Sequence, residues 1–191
     1  MKTLLISALI VFAVGCSEFN APTASVTTDE AISYQYPPLD EALAAAEAAG
    51  YTVIDFARPT LDDNECDTVS SSRNAVTGQT VNINVAGICK LTIPGSSLPY
   101  DMVVTVVAPA SCAGVCDFYP HPTQFAGNVE IRWDTRDFVL PEGIEFDEIV
   151  PLYVHDDGTI EEVSFVRSEN RFITVTTNHF SRYIITSRVG S

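Results

Sequence analysis

The stretch TTNHFSRYIITS, residues 176–187, places a histidine two residues before a serine. Two steps along an extended strand return to the same face, so His179 and Ser181 could touch. A serine nucleophile needs such a base, a third group to orient that base, and donors for the oxyanion. The chain carries no GxSxG elbow and no Gly-rich oxyanion loop. His179 and Ser181 are therefore expected to satisfy backbone groups where the last strand begins, with a His/Ser hydrolase as the competing reading.

Four other groups could do chemistry or carry recognition. LDDNECD at 61–67 gathers Asp62, Asp63, Glu65 and Asp67, and calcium takes several such oxygen ligands from a loop. The EF-hand order is missing, so a solvated acidic loop is expected, with a calcium-stabilised adhesion module as the alternative. HDDG at 155–158 reads as a hairpin turn without any metal. Trp133 stands among Arg132, Asp134, Arg136 and Asp137, a hot-spot composition. Alternation nevertheless groups it with Val129 and Ile131 on a core face. Tyr119, Pro120, His121 and Pro122 form a stiff stretch, expected to be either a contact surface, because such loops on a rigid scaffold often carry recognition, or a plain connector. No catalytic residue, cofactor or metal ligand is assigned from the sequence.

The elements that must position these residues are mostly strands. QTVNINVA, ICKLTI and NVEIRW alternate with period two, DMVVTVVA is apolar throughout as a strand covered on both faces would be, and VPLYVHDDGTIEEVSF reads as a hairpin. RFITVTT and FSRYIITS follow as the last strands. PGSSLP at 94–99 and a Pro-rich connection at 109–123 interrupt these runs. The helical signal is LDEALAAAEAAG, 39–50, with Asp40 as a possible cap, Gly50 as the stop, and Leu39, Leu43 and Ala46 as a narrow apolar stripe. Under twelve residues, it is marginal alone and is expected to dock on its own domain, beside the strand YTVIDF. The fold class is all-β: an antiparallel, immunoglobulin-like β-sandwich after one short helix.

The 191 residues hold 25 acidic and 10 basic side chains, a net charge of −15. Such a surface repels phosphate backbones, so no nucleic acid is expected as a partner, and no small-molecule substrate is expected either.

The amino terminus is MKTLLISALIVFAVGCSEFN. A lysine precedes an apolar run from Leu4 to Val14, long enough for a leader's core and too short to span a bilayer. The small residues before Cys16 resemble the lipobox of bacterial lipoproteins. That resemblance implies diacylglycerol on the Cys16 thiol, cleavage before Cys16, and acylation, such as palmitate, of the new amine. With Ser17 next, it implies an outer-membrane lipoprotein held by its lipid, facing the periplasm or the cell surface. Residues 1–15 are then a signal peptide and 16–38 a Ser/Thr/Pro-rich tether. A helix-plus-strand segment, 39–65, follows, and then the sandwich, 66–191.

Removing Cys16 from the five cysteines leaves Cys66, Cys89, Cys112 and Cys116, which an exported chain is expected to pair as disulfides. Three pairings are possible. Cys66–Cys89 with Cys112–Cys116 is favoured, because the last two are near neighbours in one loop. A four-cysteine zinc site is the rival, and it usually needs two close pairs where this chain has one.

GICKLTIPGSSL followed by DMVVTVV, then FVLPEGIEFDEIVPLYVHDDGTIEEV and VTTNHFSRYII, resembles the ZU-type domain named for the zona occludens and uncoordinated proteins and found in ankyrins. The likeness covers about residues 75–187. It implies a β-sandwich used for display or protein contact, here with an envelope or surface protein as partner, and no chemistry of its own.

Overall fold

A computed structural model describes residues 36–57, 66–85, 87–168 and 171–188. Cys16 and the acidic positions Asp62, Asp63 and Glu65 lie outside them. The described chain opens with the helix α1 (Leu39–Ala48) and two short strands, β1 (Tyr51–Val53) and β2 (Asp55–Phe56). The strands β3 (Val69–Ala75), β4 (Val81–Val85), β5 (Cys89–Ile93), β6 (Met102–Ala108), β7 (Val115–Tyr119) and β8 (Gln124–Asp134) follow. Next come β9 (Phe138–Val139), β10 (Ile149–Val154), β11 (Ile160–Glu162), β12 (Phe165–Arg167), β13 (Phe172–His179) and β14 (Arg182–Arg188).

These strands make an antiparallel β-sandwich. One sheet has the order β11-β10-β14-β7-β6-β3, with β1 also pairing β14, and the facing sheet has the order β12-β13-β8-β5-β4. A third, two-stranded pairing joins β2 to β9. The main core fills the gap between the sheets with Ile83, Leu91, Ile93, Val104, Val106, Phe118, Ile131, Trp133, Ile173 and Tyr183. Trp133 is fully buried, as alternation along β8 requires.

The helix adds a layer. Ala42 and Ala46, both fully buried, pack with Val115, Val150, Leu152, Val154 and Ile184 on the outer face of the seven-stranded sheet. Alanines let the helix approach closely, and Leu39 and Leu43 close the flanks of that contact. The helix therefore docks on its own domain as expected. Asp40 sits in its first turn and does not cap it: Pro38 holds the N-cap position, whose carbonyl accepts from the Ala42 amide at 3.1 Å. Gly50 ends the helix with φ +88°, a left-handed conformation that suits glycine. β1 pairs with β14, and α1 packs on the same sheet, so the segment from Leu39 to Val53 is joined to the later strands.

The helix also explains which strands are buried on both faces. They are β7, β10 and β14, which run beneath it. Sequence reasoning gave that role to β6, but Val103 on β6 is exposed, since the helix does not reach that side of the sheet.

Strands also form where none was expected. The Pro-rich connection at 109–123 contains β7, which is hydrogen-bonded between β14 and β6. The Ser-rich stretch VSSSRNA forms β3 at the sheet edge, paired along its whole length with β6. An edge strand tolerates polar side chains on its solvent face.

The cysteine pairing also differs from the favoured one. Cys66 bonds to Cys112, with Cα atoms 5.1 Å apart. The bridge ties the chain ahead of β3 to the chain ahead of β7 across 46 positions, a loop for which chain entropy gives about 4 kcal/mol. Cys112–Cys116 is not formed, because β7 begins between them and carries Cys116 into the core. Cys66–Cys89 is not formed, because Cys89 also points into the core, on the other sheet.

Candidate functional site

His179 and Ser181 lie at a crossing point. β13 ends at His179 in the five-stranded sheet, and β14 begins at Arg182 in the other. The chain changes sheets between them, so the alternation that would have aligned their side chains does not hold. Ser181 is fully buried, and its hydroxyl donates to the Val154 carbonyl at 2.7 Å. The expected backbone role is therefore correct for Ser181. It is not correct for the His179 ring, whose Nδ1 lies 3.0 Å from the Thr177 hydroxyl and 3.3 Å from the Asn178 amide oxygen. That ring, half-buried, opens on a shallow cleft of about 420 Å³ shared with Glu161, Asn178 and Tyr183.

The most strongly organised polar cluster centres on Arg182 and Asp117. The guanidinium donates to both carboxylate oxygens, Nε to Oδ1 at 2.7 Å and Nη2 to Oδ2 at 2.8 Å. Both side chains are buried. The pair is cross-strand, in register on β14 and β7. Burial pushes the Asp117 carboxyl up, against the pull of the guanidinium beside it. Asp117 holds the guanidinium in its charged form.

Arg182 has a further duty. Its Nη1 donates to the Pro37 carbonyl at 2.6 Å, and its guanidinium lies 5.2 Å from the Tyr36 ring centroid. The Tyr36 hydroxyl donates to the Phe118 carbonyl at 2.6 Å, and burial pushes that phenol far up. The Tyr36 ring packs against Tyr119 and His121, with centroids 5.3 and 4.6 Å away. The end of the expected tether is thus seated in the sandwich, held by a charge-assisted bond, a cation–π contact and two aromatic neighbours.

This clamp revises the expectation for residues 119–122. Pro120 and Pro122 are exposed, but His121 is buried and Tyr119 half-buried under Tyr36. His121 Nδ1 meets the Phe180 carbonyl at 2.8 Å and Nε2 meets Asp156 at 2.7 Å. The stretch receives the chain's own amino-terminal arm, where a surface open to partners or a plain connector was expected.

In HDDG, Asp157 accepts from the amide and hydroxyl of Thr159, and Gly158 takes φ +83°, as a hairpin turn requires. Among the described residues, no group of three or more His, Cys, Asp or Glu is placed to hold a metal ion.

The outer face of the five-stranded sheet holds a cleft of about 460 Å³ lined by Lys90, Arg132, Asp134, Asp137, Ile88 and Phe172. Lys90 and Arg132 are direct cross-strand partners, and the Arg132 guanidinium lies 4.6 Å from the Phe172 ring centroid. Arg136 engages Asp134 through both its Nε and Nη2. The sequence singled out Arg132 as a neighbour of Trp133 but missed Lys90 and Phe172, which only strand register brings to it.

No protein-family model matches the chain, and comparison with curated proteins finds no match.

Proposed function

We propose that the chain is a lipid-anchored lipoprotein of the bacterial outer membrane, and that its sandwich, ZU-like in kind, is a non-enzymatic module for protein binding or display. The observation that carries this reading is the clamp at Tyr36 and Pro37. It lies twenty residues beyond Cys16, an arm that spans roughly 60 Å when extended. A domain meant to be held off a membrane needs a long arm and a firm attachment at its far end. The buried Arg182 guanidinium supplies the attachment. Ser181, committed to the Val154 carbonyl, supports the non-enzymatic half of the reading.

The surface that best fits a partner is the cleft at Lys90 and Arg132. Like charges directly opposite on neighbouring strands repel, and an acidic side chain from a partner would relieve that repulsion. Phe172 beneath Arg132 supplies an apolar floor.

Metabolic labelling with an alkynyl fatty acid tests the anchor. The wild-type chain should take up label and sediment with membranes, and Cys16→Ser should do neither. A wild-type chain without label would remove the reading. For the partner, Lys90→Glu with Arg132→Glu, on the half-buried and exposed positions of the cleft, should abolish photo-crosslinks from it to an acidic envelope protein while a cooperative unfolding transition is kept.

A further inference from the structure

With Cys66 bonded to Cys112, the sulfurs of Cys89 and Cys116 are left facing each other across the core. Their separation is 3.3 Å. Cys89 is on β5 in one sheet, Cys116 on β7 in the other, and they are 4% and 0% exposed. Each has a large aromatic neighbour in register: Trp133 pairs with Cys89, and Tyr183 pairs with Cys116. Those two rings meet across the same gap, with centroids 6.2 Å apart. The contact between the sulfurs and the contact between the rings lie side by side, so the spacing of the sheets is held from both sides at this point. A disulfide would close the sulfurs from 3.3 Å to a bond of about 2.0 Å.

We infer that Cys89 and Cys116 are joined by a second disulfide that bolts the two sheets together through the core. The bond forms by exchange with an external disulfide, either that of a thiol–disulfide oxidoreductase or a small disulfide such as oxidised glutathione. The thiolate of one cysteine attacks the donor disulfide and expels one donor thiolate. The thiolate of the second attacks the resulting mixed disulfide and expels the other. The chain loses two protons and two electrons, and the donor leaves as two thiols. Exchange requires an accessible thiolate, and neither sulfur is accessible once the sheets have met. The bond therefore forms before the sandwich closes and is afterwards sealed from reductants.

The test uses the full chain, purified, unfolded, reduced and refolded with a mixture of reduced and oxidised glutathione. Free thiols are then blocked under denaturing conditions and the bridges mapped by non-reducing digestion and mass spectrometry. The expected result is a linked pair of peptides containing Cys89 and Cys116, beside a second pair containing Cys66 and Cys112. Blocked thiols at Cys89 and Cys116, or either cysteine linked to Cys66 or Cys112, would overturn the inference. A water-soluble reductant added to the folded protein should leave the Cys89–Cys116 link intact until denaturant is added. Its opening in the folded protein would overturn the sealed order of events.

Discussion

At the scale of single residues, burial decides what a reactive-looking group does. Ser181 has its hydroxyl on the Val154 carbonyl and no route to solvent. Ser181→Ala should cost about 1–2 kcal/mol in urea unfolding, the usual toll for a buried hydrogen bond. An unchanged midpoint would contradict the structural role. Asp117→Ala should cost more, about 3–5 kcal/mol, because it leaves the Arg182 guanidinium buried without its carboxylate. His179 gives a pH signature. Burial first, then the nearby His121 and His155, hold its imidazole below the ordinary histidine range. A histidine that is harder to protonate folded than unfolded contributes fully above the unfolded value of about 6.5, and its contribution falls as pH drops below that. The unfolding midpoint should therefore fall between pH 8 and pH 5.5 by less in His179→Gln than in the wild type. Equal falls would show that His179 takes no part.

At the scale of elements, close approach matters most where β1, β2, β7 and β14 converge. The Gly114 amide donates to the Ile54 carbonyl at 2.7 Å, and the Ile185 amide donates to the Gly114 carbonyl at 2.8 Å. A Cβ on Gly114 would lie 2.7 Å from the Ile54 oxygen. Gly114→Ala should therefore cost about 1–3 kcal/mol, the range for overpacking, and a chain as stable as wild type would contradict this packing. The strands that show half their residues to water were legible: β4, β5 and β8 alternate, and Trp133 followed from β8. β7 was not, because it is buried on both faces, interrupted by Asp117, and bounded by prolines. β3 was hidden by its serines, which an edge position permits. The clamp was legible least of all. Asp117 and Arg182 stand 65 residues apart, and nothing local marks a buried pair. The available signal was a single charge of opposite sign in each of two otherwise apolar runs, VCDFY and RYIITS. Cysteine pairing failed for a related reason: nearness in sequence favoured Cys112–Cys116, and strand direction separates them.

At the scale of the whole molecule, the helix packs on the sandwich, the Cys66–Cys112 bridge ties two of its segments, and the Tyr36 clamp seats residues 36 and 37 against it. Tyr36→Ala should loosen that attachment without touching lipidation. Hydrogen exchange should then rise along β7, whose Phe118 carbonyl loses the Tyr36 hydroxyl, while the fatty-acid label stays. Unchanged exchange there would mean the clamp holds nothing. The proposed role depends above all on the chemistry at Cys16, and intact mass spectrometry of the protein extracted from its host's membranes measures that directly. The expected species begins at Cys16 and carries the added mass of acyl groups. A chain that keeps residues 1–15, or one that begins at Cys16 with no added mass, would contradict the proposed role.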